Sequence, residues 1–125
     1  MPAQEEALIS FIATSFRSVW ALELLCHLRQ AGTEVSPDEL VASLRASELV
    51  VRRSLAELVA AGLVTVSEDD RARYSPATPE LDRLSEQAER RYSRSPDAVR
   101  RIIVRAANPG LTAFADAFRL KGGGS

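Results

Sequence analysis

The sequence predicts a mainly α-helical chain with one small antiparallel β-hairpin, and three features of residues 36–66, SPDELVASLRASELVVRRSLAELVAAGLVTV, carry that prediction. First, Ser36 suits a helix N-cap, Pro37 the first helical position and Glu39 the third place of a capping box. Second, Leu40 and Leu44 form the apolar ridge of a short helix, after which Arg45-Ala46 leaves room only for a tight turn before Ser47 caps another. Third, Val51, Leu55 and Leu58 fall at i, i+4 and i+7 of a helix over residues 48–61. Gly62 stops that helix, and the β-branched run Leu63-Val64-Thr65-Val66 begins a strand. The inward set turns Glu48, Leu49, Arg52 and Arg53 toward solvent or a ligand.

A chain of 125 residues is long enough to bury one core and short for two ordinary domains, so residues 1–125 are read as a single domain. With 46% hydrophobic and 26% charged residues, wholesale disorder is excluded. Arg17, Glu23 and Arg29 interrupt the most apolar segment, so no membrane span is expected. The opening Met-Pro-Ala-Gln-Glu-Glu lacks the basic start of a signal peptide, and a cytoplasmic location follows as the expectation. Sixteen basic against seventeen acidic side chains give a net charge of −1, which is not the balance of a dedicated nucleic-acid binder. The charges segregate, however, with most arginines beyond residue 44.

Taken in order, Ala7, Leu8, Phe11 and Ile12 predict a helix over residues 5–13, with Thr14 and Ser15 breaking or re-capping it. Residues 16–30, FRSVWALELLCHLRQ, predict a central helix that is apolar nearly all round: Val19, Leu22, Leu25 and Cys26 on one face, Trp20, Leu24 and Leu28 broadening it. Trp20 is read as a core anchor and Cys26 as a small core hydrophobe rather than a redox sensor. His27 lies about 100° round the helix from Cys26, so the two cannot serve one site without help from elsewhere. One cysteine builds neither a disulfide framework nor a zinc site. No Gly-rich phosphate loop, metal-ligand spacing or nucleophile, base and orienter set is visible, so no catalytic, cofactor or metal residue is assigned and no enzyme is expected.

Beyond residue 62, Val64-Thr65-Val66-Ser67 and Arg73-Tyr74-Ser75 pair as a hairpin across Glu68-Asp69-Asp70-Arg71-Ala72. Thr78-Pro79-Glu80 opens a helix over 79–93 with a narrow stripe of Leu81, Leu84, Ala88 and Tyr92. Ser95-Pro96-Asp97 caps another over 96–107, burying Val99, Ile102, Ile103 and Ala106 and ending at Asn108-Pro109-Gly110. A last amphipathic segment, 111–119, carries Leu111, Phe114, Ala115 and Phe118, before a Gly-Gly-Gly-Ser tail.

The segment LVASLRASELVVRRSLAELVAAGLV resembles the core of bacterial winged helix-turn-helix regulators of the broad MarR-like and ArsR-like kind. The likeness spans roughly residues 19–77, and its closing phrase, residues 55–64, marks the fold rather than any target. It implies a winged helix-turn-helix core at 15–77, flanking helices at 1–14 and 78–120 and a flexible tail at 121–125. Residues 33–35 would add a short third strand to the wing sheet. It also implies a sequence-specific DNA-binding transcriptional regulator, reading double-stranded DNA as a homodimer through the helix at 47–61 and the wing at 64–75.

On that reading Arg52 reaches a guanine edge, Arg53 or Arg45 a phosphate, and Ser47 leaves backbone N–H groups near a phosphate. Glu48 and Leu49 share the same face, and Arg71 and Arg73 come from the wing. Two departures support an alternative, a winged-helix protein–protein interaction module that does not bind DNA. Leu49 and Val50 stand where such regulators usually carry small or polar residues, and Glu68, Asp69 and Asp70 make the wing acidic where phosphates would pass. A second basic cluster, Arg90, Arg91, Arg94, Arg100, Arg101 and Arg105, reads equally as a phosphate track or as the wet side of two amphipathic helices. The flanking helices must bury their faces against a second copy or against their own chain.

Overall fold

The computed structural model describes residues 2–108; the helix expected at 111–119 and the tail at 121–125 lie outside them. Six helices and one hairpin follow in order: α1 (Pro2–Ser15), α2 (Val19–Ala31), α3 (Pro37–Leu44), α4 (Glu48–Ala60), β1 (Val64–Val66), β2 (Ala72–Tyr74), α5 (Pro79–Arg94) and α6 (Pro96–Ala107). The protein is mainly helical with a small two-stranded antiparallel sheet, arranged as a winged helix-turn-helix with extra helices at both ends. No single helix among the described residues is long and apolar enough to cross a membrane.

The start of α2 corrects the reading of residues 14–20. Thr14 and Ser15 continue α1, because the Thr14 hydroxyl donates to the Ser10 carbonyl at 2.8 Å and so does not compete with the helix. Ser18 is the cap instead, accepting from the Ala21 N–H at 3.3 Å, and α2 therefore starts at Val19 rather than Phe16. Its buried face is Ala21, Leu22, Leu24, Leu25 and Leu28. Trp20, expected as a core anchor, is 39% exposed. At about 100° per residue it lies more than a quarter-turn from the centre of that face. Phe16 is the nearby aromatic that does enter the core, buried edge-to-face against Phe11 at 5.7 Å.

The unit from α3 to β2 follows the sequence signals closely. Ser36 Oγ accepts from the Glu39 N–H at 3.2 Å and Ser47 Oγ from the Val50 N–H at 3.1 Å, so both helices are capped by the serines expected. Between them Arg45 takes the left-handed conformation, φ 53°, which lets the chain reverse within three residues. Val51, Leu55 and Leu58 are buried with Leu40 in one cluster. Gly62, φ 78°, ends α4, and the Leu63 N–H returns to the Leu58 carbonyl at 3.0 Å.

The hairpin pairs Val64 with Tyr74, Thr65 with Arg73 and Val66 with Ala72. No third strand forms at 33–35: Val35 makes one isolated bridge to Ala72, with both N···O distances 2.8 Å. Gly32 closes α2 and Ser36 opens α3, so only one residue between them is placed to pair.

Helix α5 is capped by Thr78, whose hydroxyl accepts from the Leu81 N–H at 3.1 Å. Ser95, expected to cap α6, makes no side-chain cap bond, because its geometry is set by closing α5 through its N–H to the Arg91 carbonyl at 2.8 Å. Ala106, placed on the buried face of α6, is exposed, while Val99 and Ile103 are buried. Helix α1 lies against α5 and α6, and α2 against α3, α4, α6 and β2. Leu8, Phe11, Ile12, Ala88, Val99 and Ile103 thus join the same core as Leu55 and Leu58. The described flanking helices bury Leu8, Phe11, Ile12, Ala88, Val99 and Ile103 in their own chain and leave Ile9 and Val104 exposed.

Candidate nucleic-acid interface

Capping by Ser47 fixes the rotation of α4 about its axis, and with Val51, Leu55 and Leu58 inward the opposite side must face solvent. Arg45, Ser47, Glu48, Leu49, Arg52 and Arg53 are all exposed, with Leu49 at 58%, and Val50 is half-buried. Arg71 and Arg73 are exposed on the wing. The structure brings these two groups together through one side chain. Arg52 donates from Nε to Glu48 Oε1 and from its terminal nitrogen to Asp70 Oδ2, both at 3.1 Å, and so ties the wing tip to the helix. These bonds, that to Glu48 foremost, raise the Arg52 pKa above its usual value.

Asp70 reaches Arg52 because the loop is held in shape. Its N–H bonds the Ser67 carbonyl at 2.9 Å, the Ser67 N–H bonds the Arg71 carbonyl at 2.9 Å, and Ser67 Oγ accepts from the Arg71 N–H at 3.2 Å. Asp70 itself is left-handed, φ 63°, a conformation that short polar side chains tolerate. Glu48, Arg52 and Asp70 are each half-exposed or more, so this bridge contributes little to stability, and another anion can displace it.

Arg45, Arg53, Arg71 and Arg73 differ from Arg52: among the described residues none has a carboxylate within ion-pair reach. Guanidinium groups left in this way on a turn, a helix and a wing are suited to phosphate oxygens. Beside them runs an apolar groove of about 390 Å³ between α4 and the wing, lined by Leu55, Ala56, Val59, Ala60 and Val66, with the Arg52–Asp70 pair on its wall. Val59 and Val66 are 45% and 40% exposed there.

A framework that the sequence does not single out holds the base of the wing. The Arg29 guanidinium lies 5.0 Å from the centre of the Tyr74 ring and pairs with Glu89 at 3.4 Å and Asp82 at 3.6 Å. The Tyr74 hydroxyl donates to Asp82 at 2.7 Å. Burial, and then this bond, push the Tyr74 pKa up to about 12, so the phenol stays neutral and linked to α5. These contacts span 8 to 60 residues, and no local spacing announces them.

Half of the second basic cluster is paired, whereas Arg94 and Arg101 are exposed with no carboxylate within ion-pair reach among the described residues. Arg91 grips Glu5 with two bonds of 2.6 and 2.7 Å, Arg90 meets Glu86 at 2.6 Å, and Arg100 meets Asp97 at 3.2 Å while lying 5.6 Å from the Tyr92 ring centre. Cys26 is half-buried against the core, and burial followed by the nearby Glu89 charge pushes its pKa up to about 12, leaving it a neutral thiol. Among the described residues no three His, Cys, Asp or Glu side chains form a metal-ligand set.

No family model matches the sequence, and no curated protein matches it. Among solved structures the chain is similar to a Pseudomonas aeruginosa PA01 protein described as a candidate transcriptional regulator, at 22% identity and a TM-score of 0.45, covering 92% of this chain and 86% of that one. So remote a likeness assigns the chain to no family.

Proposed function

We propose that this chain is a sequence-specific DNA-binding transcriptional regulator in which residues 47–61 form the recognition helix and the hairpin at 64–75 the wing. The observation that carries the proposal is the set of exposed arginines with no carboxylate in reach among the described residues, Arg45, Arg53, Arg71 and Arg73, spread over the turn, helix and wing of a helix-turn-helix unit. In this reading Arg53, Arg45 and the wing arginines take phosphates, and the N–H groups at the Ser47 cap take another. Arg52 exchanges Asp70 for a base edge or a phosphate, and Leu49 lies over thymine methyl groups. A homodimer reading a two-fold site is part of the proposal, with Ile9 and Val104 as exposed apolar residues on helices outside the helix-turn-helix unit.

Retention of pooled duplex fragments by the wild-type chain, measured over a salt series, tests the reading. Each phosphate contact contributes about 0.9 to the slope of log K against log salt. Replacing Arg45, Arg53, Arg71 and Arg73 together with Ala should therefore lower that slope by about 3 to 4 and weaken retention at least a hundredfold at low salt. An unchanged slope would remove these residues from the interface.

A second reading, a protein-interaction module, is favoured by the apolar groove between α4 and the wing and by the acidic loop beside it. Absence of any retention at micromolar protein and low salt would favour it over the first.

A further inference from the structure

A second recess opens between the first turns of α1 and the last two turns of α5, and no residue of α4 or the wing lines it. Its volume is about 250 Å³, just below the roughly 300–1,000 Å³ of drug-sized ligand sites, so it suits a small guest. Among the described residues Leu8 is the one apolar part of its lining, and the rest is Gln4 and Glu5 from α1 and Gln87, Arg90, Arg91 and Arg94 from α5. Positions 87, 90, 91 and 94 fall at i, i+3, i+4 and i+7 and so form one stripe of α5, with α1 packed beside it.

Three guanidinium groups meet one carboxylate here, and that carboxylate is already taken. Glu5 accepts two bonds from Arg91, at 2.6 and 2.7 Å, which pins the Arg91 side chain and leaves its other three N–H groups for a further acceptor. Arg90 meets Glu86 at 2.6 Å, but the two side chains are 73% and 47% exposed, so the pair is cheaply exchanged. Arg94 is exposed with no carboxylate in reach among the described residues. Its charge is felt in the recess: hydrogen bonds from Arg91 foremost, then the charges of Arg91 and Arg94, hold the Glu5 carboxyl below its ordinary pKa. The side-chain amides of Gln4 and Gln87 make no hydrogen bond among the described residues, which leaves two neutral donors at the same place. Donors in excess of acceptors, around a recess of net positive charge, are what an anion requires.

We propose that this recess binds a small phosphate-bearing anion, with Arg90 and Arg94 on separate oxygens, the pinned Arg91 beside them and the Gln4 and Gln87 amides completing the shell. Arg90 and Arg94 stand four residues apart, about 6 Å along the helix axis, so a diphosphate can bridge them. A guanidinium fork also matches phosphate oxygens in a way that a halide cannot use. A recess of this size is filled by a compact anion, whereas a duplex laid across it would leave it empty. The site is separate from the arginine face of α4 and the wing, and it stands whether or not that face binds DNA.

The test is amide NMR titration of the full chain with sodium pyrophosphate, without DNA and at an ionic strength held constant with sodium chloride. Pyrophosphate should give saturable shifts confined to residues 4–8 and 87–94, and inorganic phosphate, which spans one arginine at a time, should bind more weakly. Arg94→Gln should weaken pyrophosphate binding about tenfold or more. Arg101→Gln, which removes an exposed arginine of α6 outside the recess, should leave it within about twofold. Both arginines are exposed and neither enters the core, so both variants keep the fold. Absence of saturable shifts with pyrophosphate would overturn the proposal. Equal losses from the two variants would do the same, because they would mark general charge attraction rather than a site. It falls also if a short duplex shifts residues 4–8 and 87–94 and pyrophosphate does not, since this face would then be a track for DNA phosphates. None of these results removes Arg45, Arg53, Arg71 or Arg73 from the interface proposed above, which is tested by retention.

Discussion

Around the α3–α4 turn and the wing, Arg45, Arg53, Arg71 and Arg73 stand exposed with no carboxylate of a described residue in reach, whereas along α5 and α6 Arg90, Arg91 and Arg100 each close on one and only Arg94 and Arg101 match the first group. Both groups are arginine-rich stretches diluted by acids, and composition does not separate them. Geometry does. For Arg90, Arg91 and Arg100 the acids sit three or four residues away on the same helix, or on the facing α1, so those charges cancel locally. On α4 that spacing serves only Arg52, through Glu48, and the wing acid that comes near, Asp70, converges on the same guanidinium. The remaining four arginines keep their charge available. A near-neutral chain can therefore carry a locally positive surface, because net charge says nothing about where the pairs close.

The largest expected effect breaks or sustains this contrast directly. If availability rather than number decides, Arg90→Ala with Arg100→Ala should leave DNA retention within about twofold of wild type. Arg53→Ala with Arg71→Ala should weaken it by about tenfold or more and lower the salt slope by about 2. Equal losses from the two pairs, measured in parallel salt series, would mean that the paired arginines also contact the duplex.

A smaller effect sharpens the contrast at its one exception. Arg52 is the arginine of α4 already occupied, and the carboxylates that occupy it would be repelled by an approaching phosphate. Asp70→Asn should therefore raise DNA affinity several-fold at low salt, and the gain should fade as salt screens the removed charge. Loss of affinity in this variant would show instead that Asp70 positions Arg52 for its target.

What could be read from the sequence divides along the same line as these contacts. Ser36, Ser47 and Gly62 act within four residues of themselves, so the helix-turn-helix and its boundaries were legible from spacing alone. The outward set of α4 followed from the inward one. Trp20 was misread because an apolar run on every side hides where the helix begins, and Ser18 rather than Thr14 or Ser15 sets its rotation. The Arg52–Asp70 bridge, the Arg29–Tyr74–Asp82 support and the recess that Gln4 and Glu5 share with Arg94 were not legible. Each depends on which elements meet in space.

The smallest effect concerns the paired region alone and tests whether its arginines serve the fold. Arg91 binds Glu5 across α1 and α5, and the hydrogen bonds from that guanidinium hold the Glu5 carboxyl below its ordinary pKa. A depressed carboxylate stabilises the folded chain fully above its unfolded pKa, near 4.5, and the contribution is lost as pH falls through the lower folded value. Thermal melts of wild type and Arg91→Gln should thus differ by about one to three degrees near neutral pH, with the variant lower, and the gap should close as the pH falls through the lowered Glu5 value. Because the pair is exposed, high salt should shrink the difference as well. A gap that persists in acid would trace to packing of the Arg91 stem on α1 rather than to its charge.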